Sequence, residues 1–280
     1  MSAGLETLLP IRTTGTRPPV YCVPPISGSA YTYTALGRFL PSDQPVYGLE
    51  APGFDDGRKP LTSLGDLSAE YLDTLQLASG GDPFHLLGWS MGGAIAFDMA
   101  QRLSAMGAAV PLLVVIDAAV PVRMDLPPEK AIMRRFLLDM MGVPGAVPSG
   151  LDDLLRALPD DVTPLSAFTT IERSSLLPPE IDREFLGDRY QVFRAHIGAL
   201  FAHEAQGTYG GRMLVFRAAA TAAETMVWSA VASDVETHVL PGDHYSIWTG
   251  DRLREMGSVI RCSLERCSGD VHPERVTPER

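Results

Sequence analysis

Cysteine and long apolar runs are scarce in this chain of 280 residues. The three cysteines, Cys22, Cys262 and Cys267, are too few and too unevenly spaced for a disulfide framework or a metal site built from paired ligands. No apolar run approaches the roughly 20 residues of a membrane-spanning helix, and residues 1–9 lack the basic flank and apolar stretch of a signal peptide. We therefore expect a cytoplasmic protein without membrane association and without a bound metal or cofactor.

Positive charge is also in short supply, because 23 Lys and Arg residues stand against 34 Asp and Glu residues and the formal net charge is −11. Nucleic-acid-binding proteins need a cationic face that neutralises phosphates, and no basic block occurs here. The composition therefore argues against a nucleic-acid partner. Hydrophobic residues make up 45% of the chain, which suffices for a large core in a compact domain that we expect to be monomeric.

Apolar runs typical of buried strands alternate with helical periodicity. The strand-like runs lie at 20–23, 46–49, 84–87, 112–116, 213–216 and 235–240. Helical patterns separate the first four runs, at 31–40, 64–77 and 94–106. This alternation predicts an α/β fold in which a mostly parallel sheet carries helices on both faces.

A block with a different texture interrupts the alternation. It contains helix-like stretches separated by prolines, at 129–141, 151–158 and 181–203. Because it lies between two strand candidates, we interpret it as a helical lid inserted over the carboxyl ends of the strands. The predicted organisation is a core over 5–119, the lid over 120–204, a second core part over 205–265 and a disordered tail over 266–280.

Several apolar residues of the predicted lid allow two interpretations. They either line a chamber for an apolar substrate, where methionine is adaptable, or pack the lid onto the sheet. These residues are Met133, Phe136, Leu137, Met140 and Met141.

The sequence Gly88-Trp89-Ser90-Met91-Gly92 follows a strand-like run and precedes a helical pattern. A G-x-S-x-G sequence in that context is typical of the nucleophile elbow of an α/β-hydrolase, in which a strained turn exposes the serine hydroxyl above the sheet. Ser90 is therefore the candidate nucleophile. The alternative is a glycine-rich turn whose serine only caps the following helix.

A serine hydroxyl needs a positioned base, and an acid commonly orients that base. His244 lies in a loop directly after the last strand candidate, which is where an α/β-hydrolase carries its base. The other five histidines lie in strand patterns, in a helix or in the tail, and we interpret them as structural or solvated: His85, His196, His203, His238 and His272.

Two residues compete for the role of the acid. Asp117 ends the run at 112–116, so its side chain is expected at the same sheet edge as Ser90. Glu224 follows the next strand, the more usual hydrolase location, but lies farther from its strand end. Asp117 is the preferred candidate.

The negative oxygen that forms during acyl transfer needs hydrogen-bond donors. The elbow geometry supplies the backbone N–H of Met91. A second donor is expected in the loop after the first strand-like run, Pro24-Pro25-Ile26-Ser27-Gly28. Since Pro25 has no N–H, Ile26 is the candidate.

Several of these motifs together, in order, resemble the thioesterase domain that ends nonribosomal peptide synthetases and polyketide synthases. The resemblance covers about residues 5–262 and rests on 20–33, 46–53, 88–93, Asp117 and 241–246. Trp89 before the serine resembles the peptide-synthetase branch, because histidine is usual there in the polyketide and editing branches. Many relatives carry His-Pro and paired glycines in the first loop, where this chain has two prolines.

The resemblance implies a function in two chemical steps. Ser90 takes an acyl or peptidyl chain from the phosphopantetheine of a carrier protein, which is supplied in cis or in trans. Release to water gives an acid, and release to an amine or hydroxyl of the substrate gives a macrocycle. The resemblance also places the catalytic carboxylate after the strand that follows the elbow, and this favours Asp117. The alternative is a stand-alone editing thioesterase or a carboxylesterase acting on small esters, and a silent hydrolase scaffold that binds a ligand is a third hypothesis.

Overall fold

The computed structural model describes residues 7–108, 110–142 and 150–269. In this part of the chain one sheet is formed by β1 (Leu8–Arg12), β2 (Val20–Val23), β3 (Val46–Leu49), β4 (His85–Trp89), β5 (Leu113–Ile116), β6 (Tyr209–Ala218) and β7 (Ala232–Leu240). The strand order is β1-β3-β2-β4-β5-β6-β7, with β1 antiparallel to β3 and the other pairs parallel. The predicted α/β architecture is thereby confirmed.

Helices cover both faces of the sheet. They are α1 (Tyr33–Leu36), α2 (Leu64–Ser79), α3 (Met91–Ala105), α4 (Glu129–Gly142), α5 (Leu151–Ala157), α6 (Pro164–Ser174), α7 (Arg183–Ala202) and α8 (Gly250–Gly269). Successive residues of a strand point to opposite faces. Accordingly, Leu113 and Val115 of β5 pack with α2 and α3, whereas Val114 and Ile116 pack with α1 and α8.

Helices α4 to α7 stand between β5 and β6 in the chain, where the sequence predicts an insertion. The Phe136 ring of α4 lies against Phe168 of α6 and Phe193 of α7, with ring centroids 6.0 and 5.5 Å apart. Met133 and Leu137 are also buried in this cluster. These three residues therefore pack the inserted helices together, and only Met140 and Met141 are partly exposed.

Three elements of the structure, β1, α6 and α8, are not predicted from the sequence. Strand β1 pairs with β3 alone and contains Pro10, which an edge strand tolerates because one side of it needs no ladder bonds. Helix α6 was not predicted either. Helix α8 continues to Gly269, past the predicted start of the tail at 266, because Cys267 is buried in the core. The remainder of the predicted tail lies outside the described residues.

Within the described ranges, no helix combines the length and the apolar character required to cross a membrane. The same part of the chain contains no group of three or more His, Cys, Asp or Glu side chains placed to hold a metal ion.

Candidate active site

Ser90 lies in a sharp turn between β4 and α3, with φ of 56° and ψ of −130°. Three glycines make this turn sterically possible. A Cβ atom on Gly88 would lie 2.1 Å from the Gly92 carbonyl oxygen, and one on Gly92 would lie 2.4 Å from the Val23 carbonyl oxygen. A Cβ atom on Gly93 would lie 2.6 Å from the Cβ of Ala118. The backbones of β4, the turn and α3 thus lie too close to their neighbours for a side chain at these three positions.

Gly92→Ala is expected to disturb the turn, because the new methyl group meets backbone of the loop after β2, which cannot rotate away. We expect a loss of about 1–3 kcal/mol in the free energy of unfolding. Displacement of that loop is expected to lower turnover by roughly 100-fold, as misplacements near 1 Å do elsewhere. Urea denaturation and thioester turnover measure the two effects.

Gly187→Ala in α7 is the matched control, since a Cβ atom there meets nothing within 4 Å. It is expected to raise the stability by up to about 1 kcal/mol through helix propensity and to leave turnover unchanged. Wild-type stability and turnover in Gly92→Ala would contradict the close-approach argument.

Asp117 and His244 meet at the carboxyl-terminal edge of the sheet. The Nδ1 atom of His244 lies 2.7 Å from Oδ2 of Asp117, whose side chain is fully buried. The carboxylate also accepts hydrogen bonds from the Ala218 backbone N–H at 2.7 Å and from the Thr221 hydroxyl at 2.9 Å. Burial raises the pKa of Asp117, but these hydrogen bonds outweigh it, so the pKa lies below its usual value. Asp117 is therefore ionised at neutral pH and holds the imidazole ring with its Nδ1 proton inward.

Ser90 and Asp117 follow neighbouring parallel strands. The Ser90 N–H donates to the Ile116 carbonyl at 2.9 Å, and the Asp117 N–H donates to the Phe216 carbonyl at 2.7 Å. Both side chains consequently start from the same edge of the sheet. The Ser90 hydroxyl is partly exposed and makes no hydrogen bond to His244 within the described residues.

Aromatic rings hold His244 beside the elbow. The Trp89 ring stacks on the imidazole, with centroids 4.8 Å apart, and the Tyr245 ring meets its edge at 5.1 Å. The Tyr245 hydroxyl donates to Asp139 of α4 at 3.2 Å, and burial raises the pKa of Asp139. Trp89, which directly precedes Ser90, thus packs its ring against the imidazole of His244.

The two candidate oxyanion donors, the N–H groups of Met91 and Ile26, belong to two neighbouring backbone segments, the start of α3 and the loop after β2. Met91 is the first residue of α3, where N–H groups have no partner inside the helix. Ile26 is buried, and its N–H makes no hydrogen bond within the described residues. The close approach of Gly92 to the carbonyl groups of Val23 and Pro24 brings the helix start and the loop together.

The alternative candidates lie elsewhere. Glu224 is exposed on a single 3₁₀ turn, so the structure brings Asp117 and not Glu224 to His244. Among the other histidines, His85 and His196 are buried, and His238 pairs with Glu236 at 2.9 Å. His272 lies outside the described residues.

Three residues that contact the candidate site are not predicted from the sequence. They are Thr221, which binds the acid, and the pair Asp139 and Tyr245. No local pattern marks Thr221 or Asp139, but Tyr245 adjoins the candidate base in the sequence.

The chain has the α/β-hydrolase fold. The strand order, the helices on both faces, the sharp turn at Ser90 and the contact between Asp117 after β5 and His244 after β7 all agree with it. The family model described as "Thioesterase domain" matches residues 18–263. The chain therefore belongs to the thioesterase domain family. Membership in this family implies hydrolase activity.

Comparisons with known proteins agree with this family. The chain is 27% identical over 273 residues to a dimodular nonribosomal peptide synthase of Bacillus subtilis (strain 168), covering 94% of this chain and 11% of the relative. The solved structure of the four-domain nonribosomal peptide synthetase holo-AB3403 matches with a TM-score of 0.77 and 21% identity, over 91% of this chain and 20% of that chain. The type II thioesterase BorB from the borrelidin biosynthetic cluster matches with a TM-score of 0.69 and 19% identity, over 94% of this chain and 99% of that one.

The curated relative is far longer than the part that matches. The chain spans about a tenth of the length of that synthase. The likeness to the solved structures, at 21% and 19% identity, concerns the fold.

Proposed function

We propose that this chain is a serine thioesterase that releases an acyl or peptidyl chain from the phosphopantetheine of a carrier protein. The release completes the assembly of a nonribosomal peptide or a hybrid polyketide. The observation that carries this proposal is the 2.7 Å contact between Asp117 and His244, formed beside the Ser90 elbow in a chain of the thioesterase family. The chemistry uses side chains and backbone N–H groups and needs no bound cofactor.

In the first half-reaction, Ser90 Oγ attacks the carbonyl carbon of the thioester, and Nε2 of His244 takes the hydroxyl proton. Asp117 stabilises the imidazolium that forms, through its bond to Nδ1. The N–H groups of Ile26 and Met91 bind the tetrahedral oxyanion. The C–S bond then breaks, the proton of His244 passes to the departing pantetheine thiolate, and a seryl ester remains.

The second half-reaction reverses these roles. His244 takes a proton from water, or from an amine or hydroxyl of the bound chain, as that group attacks the ester carbonyl. The second tetrahedral intermediate expels Ser90 Oγ, which recovers its proton from His244. Water yields a linear acid, and an internal nucleophile yields a ring.

The inserted helices supply the cover over this edge of the sheet. We assign residues 5–119 and 205–265 to the hydrolase core and residues 120–204 to a lid that encloses the acyl chain. The contact between Asp139 and Tyr245 supports this assignment, because it ties α4 to the loop that carries His244.

An acidic surface gives little long-range attraction to an acidic carrier domain. With a net charge of −11, we expect carrier docking to depend on a covalent tether or on short-range contacts. A tether supplies a high effective concentration without strong contacts.

A carboxylesterase or a stand-alone editing thioesterase uses the same three side chains, so substrates decide between them. The experiment compares kcat/KM for peptidyl pantetheine thioesters, short acyl thioesters and an aryl ester, and weighs the products. We expect the peptidyl thioesters to be preferred by at least about tenfold. A preference for the aryl ester would identify a carboxylesterase, and a preference for short acyl groups would identify an editing enzyme. Linear acid and ring differ by the mass of one water.

A further inference from the structure

His196 of α7 is buried against the turn that follows β2. Its side chain is 1% exposed, and its Nδ1 atom lies 2.9 Å from the carbonyl oxygen of Ile26. Because a carbonyl oxygen only accepts, Nδ1 is the donor. Burial lowers the pKa of His196 to about 4, so the ring is neutral at neutral pH and carries its proton on Nδ1. Its buried Nε2 atom has no hydrogen-bond partner within the described residues, which a neutral ring tolerates and a charged ring does not.

The carbonyl that His196 binds belongs to the middle of a four-residue turn. The Gly28 N–H donates to the Pro25 carbonyl at 2.9 Å, which makes Ile26 the second residue of the turn. The middle peptide of such a turn has two common orientations, which differ by about 150° in ψ of the second residue. A donor fixed at the Ile26 oxygen selects one of the two. That peptide carries the N–H of Ser27, and the Ile26 N–H belongs to the preceding peptide of the same turn. His196 therefore holds the Ile26 N–H by keeping the turn as a whole in one conformation.

Helix α7 provides a rigid support for that donor. Val192, one helical turn before His196, packs so closely on the turn that a Cβ atom on Gly28 would lie 2.9 Å from its Cγ1 atom. Arg189, a further turn away, binds Asp55 at 2.7 Å and lies over the Phe54 ring at 3.9 Å. The helix is therefore anchored to the core beside the turn by contacts that do not involve His196.

We propose that His196 is a positioning residue that keeps the turn at 25–28 in one conformation and thereby holds the Ile26 N–H in place to bind the oxyanion. This inference rests on the proposed function, because it requires acyl transfer at Ser90. His196 touches no reacting atom and acts only through Ile26. Helix α7 of the insertion then positions the turn at 25–28 in addition to forming part of the lid.

Two polar variants separate this role from simple packing. In His196→Asn the amide nitrogen takes the place of Nδ1 and still reaches Ile26, whereas in His196→Gln it takes the place of Nε2 and does not. We expect His196→Gln to lower kcat by roughly 10- to 100-fold with KM changed less than about threefold, since full removal of an oxyanion donor costs about 10²–10³. His196→Asn is expected to stay within about fivefold of the wild-type kcat. Val192→Ala, which trims packing on the same turn without removing a hydrogen bond, measures the packing contribution by itself, and its loss of kcat is expected to be smaller than that of His196→Gln.

A second measurement reports on the oxyanion site alone. A peptidyl boronic acid forms a tetrahedral adduct on Ser90 that places an anionic oxygen against the same donors, whereas the free peptide acid does not. We expect His196→Gln to weaken boronate binding by the same factor as it lowers kcat/KM and to leave binding of the peptide acid unchanged. Thermal unfolding is followed for every variant, and His196→Leu replaces the glutamine variant if the latter does not fold.

Three results would overturn the inference: equal losses in the Asn and Gln variants, equal weakening of boronate and peptide acid, or wild-type kinetics in His196→Gln. Failure of the proposed function itself is recognised separately. In that case the wild-type protein neither binds the boronate at Ser90 nor forms an acyl-enzyme there.

Discussion

Ser90→Ala is expected to lower turnover of a pantetheine thioester by about 10⁶-fold, the loss that removal of the nucleophile causes in another serine hydrolase. The hydroxyl is partly exposed and makes no hydrogen bond within the described residues, so its removal is expected to leave the unfolding temperature almost unchanged. Rates with purified wild-type and variant protein, together with thermal unfolding curves, test both statements.

Ser90→Cys is the matched control for this prediction. It keeps a nucleophile of similar size in the same turn and is expected to accept the acyl chain, although turnover will be slower. A variant with alanine at position 90 that retains turnover within tenfold of the wild type would refute the role of Ser90.

Asp117→Asn is expected to lower kcat by about 10⁴-fold, as the corresponding change does in other triads. Asparagine presents an N–H₂ group where Asp117 accepts hydrogen bonds, so His244 turns to the tautomer that carries its proton on Nε2. A ring with that proton is unable to take another from Ser90. The buried carboxylate also accepts hydrogen bonds from Ala218 and Thr221, and the mismatch is expected to cost about 1–3 kcal/mol of stability.

Glu224→Gln is the control for this substitution, because Glu224 is the other candidate for the catalytic acid. Its side chain is exposed in the structure. We expect its turnover to stay within twofold of the wild type. Similar losses in the two variants would reopen the identity of the acid. A pH profile of kcat/KM for the wild type and for Glu224→Gln is expected to be superimposable.

Most of the sheet and the placement of three candidate site residues could be predicted because they depend on local patterns. Buried parallel strands such as β4 and β5 appear as short apolar runs, and catalytic side chains of this fold follow strand ends. Ser90 and Asp117 directly follow such runs. His244 follows β7, which is mostly exposed, so only the position of its loop after the last strand indicated it. Strand β1 escaped because Pro10 and partial exposure obscure its pattern.

Helix α8 has a regular apolar pattern, although it follows the last strand and so stands outside the alternation of strands and helices. Its buried residues Leu253, Met256, Ile260 and Leu264 recur at helical spacing. A polar stretch at its end concealed the buried Cys267.

The contacts that position the candidate site are of a different kind. His196 reaches Ile26 across 170 residues, and Tyr245 reaches Asp139 across 106 residues. Neither pair follows from periodicity or from a motif, because both depend on how the inserted helices pack against the loops of the sheet. From the sequence, His196 is therefore expected to be structural or solvated, and its bond to Ile26 is visible only in the fold.

The acyl-enzyme itself provides the most direct test of the account. Protein mixed with a peptidyl pantetheine thioester is quenched with acid within milliseconds, digested and analysed by mass spectrometry. We predict a peptidyl adduct on the peptide that contains Ser90, formed before free product accumulates and strongly reduced in His244→Ala. An adduct on another residue, or turnover that proceeds without an adduct on Ser90, would contradict the account.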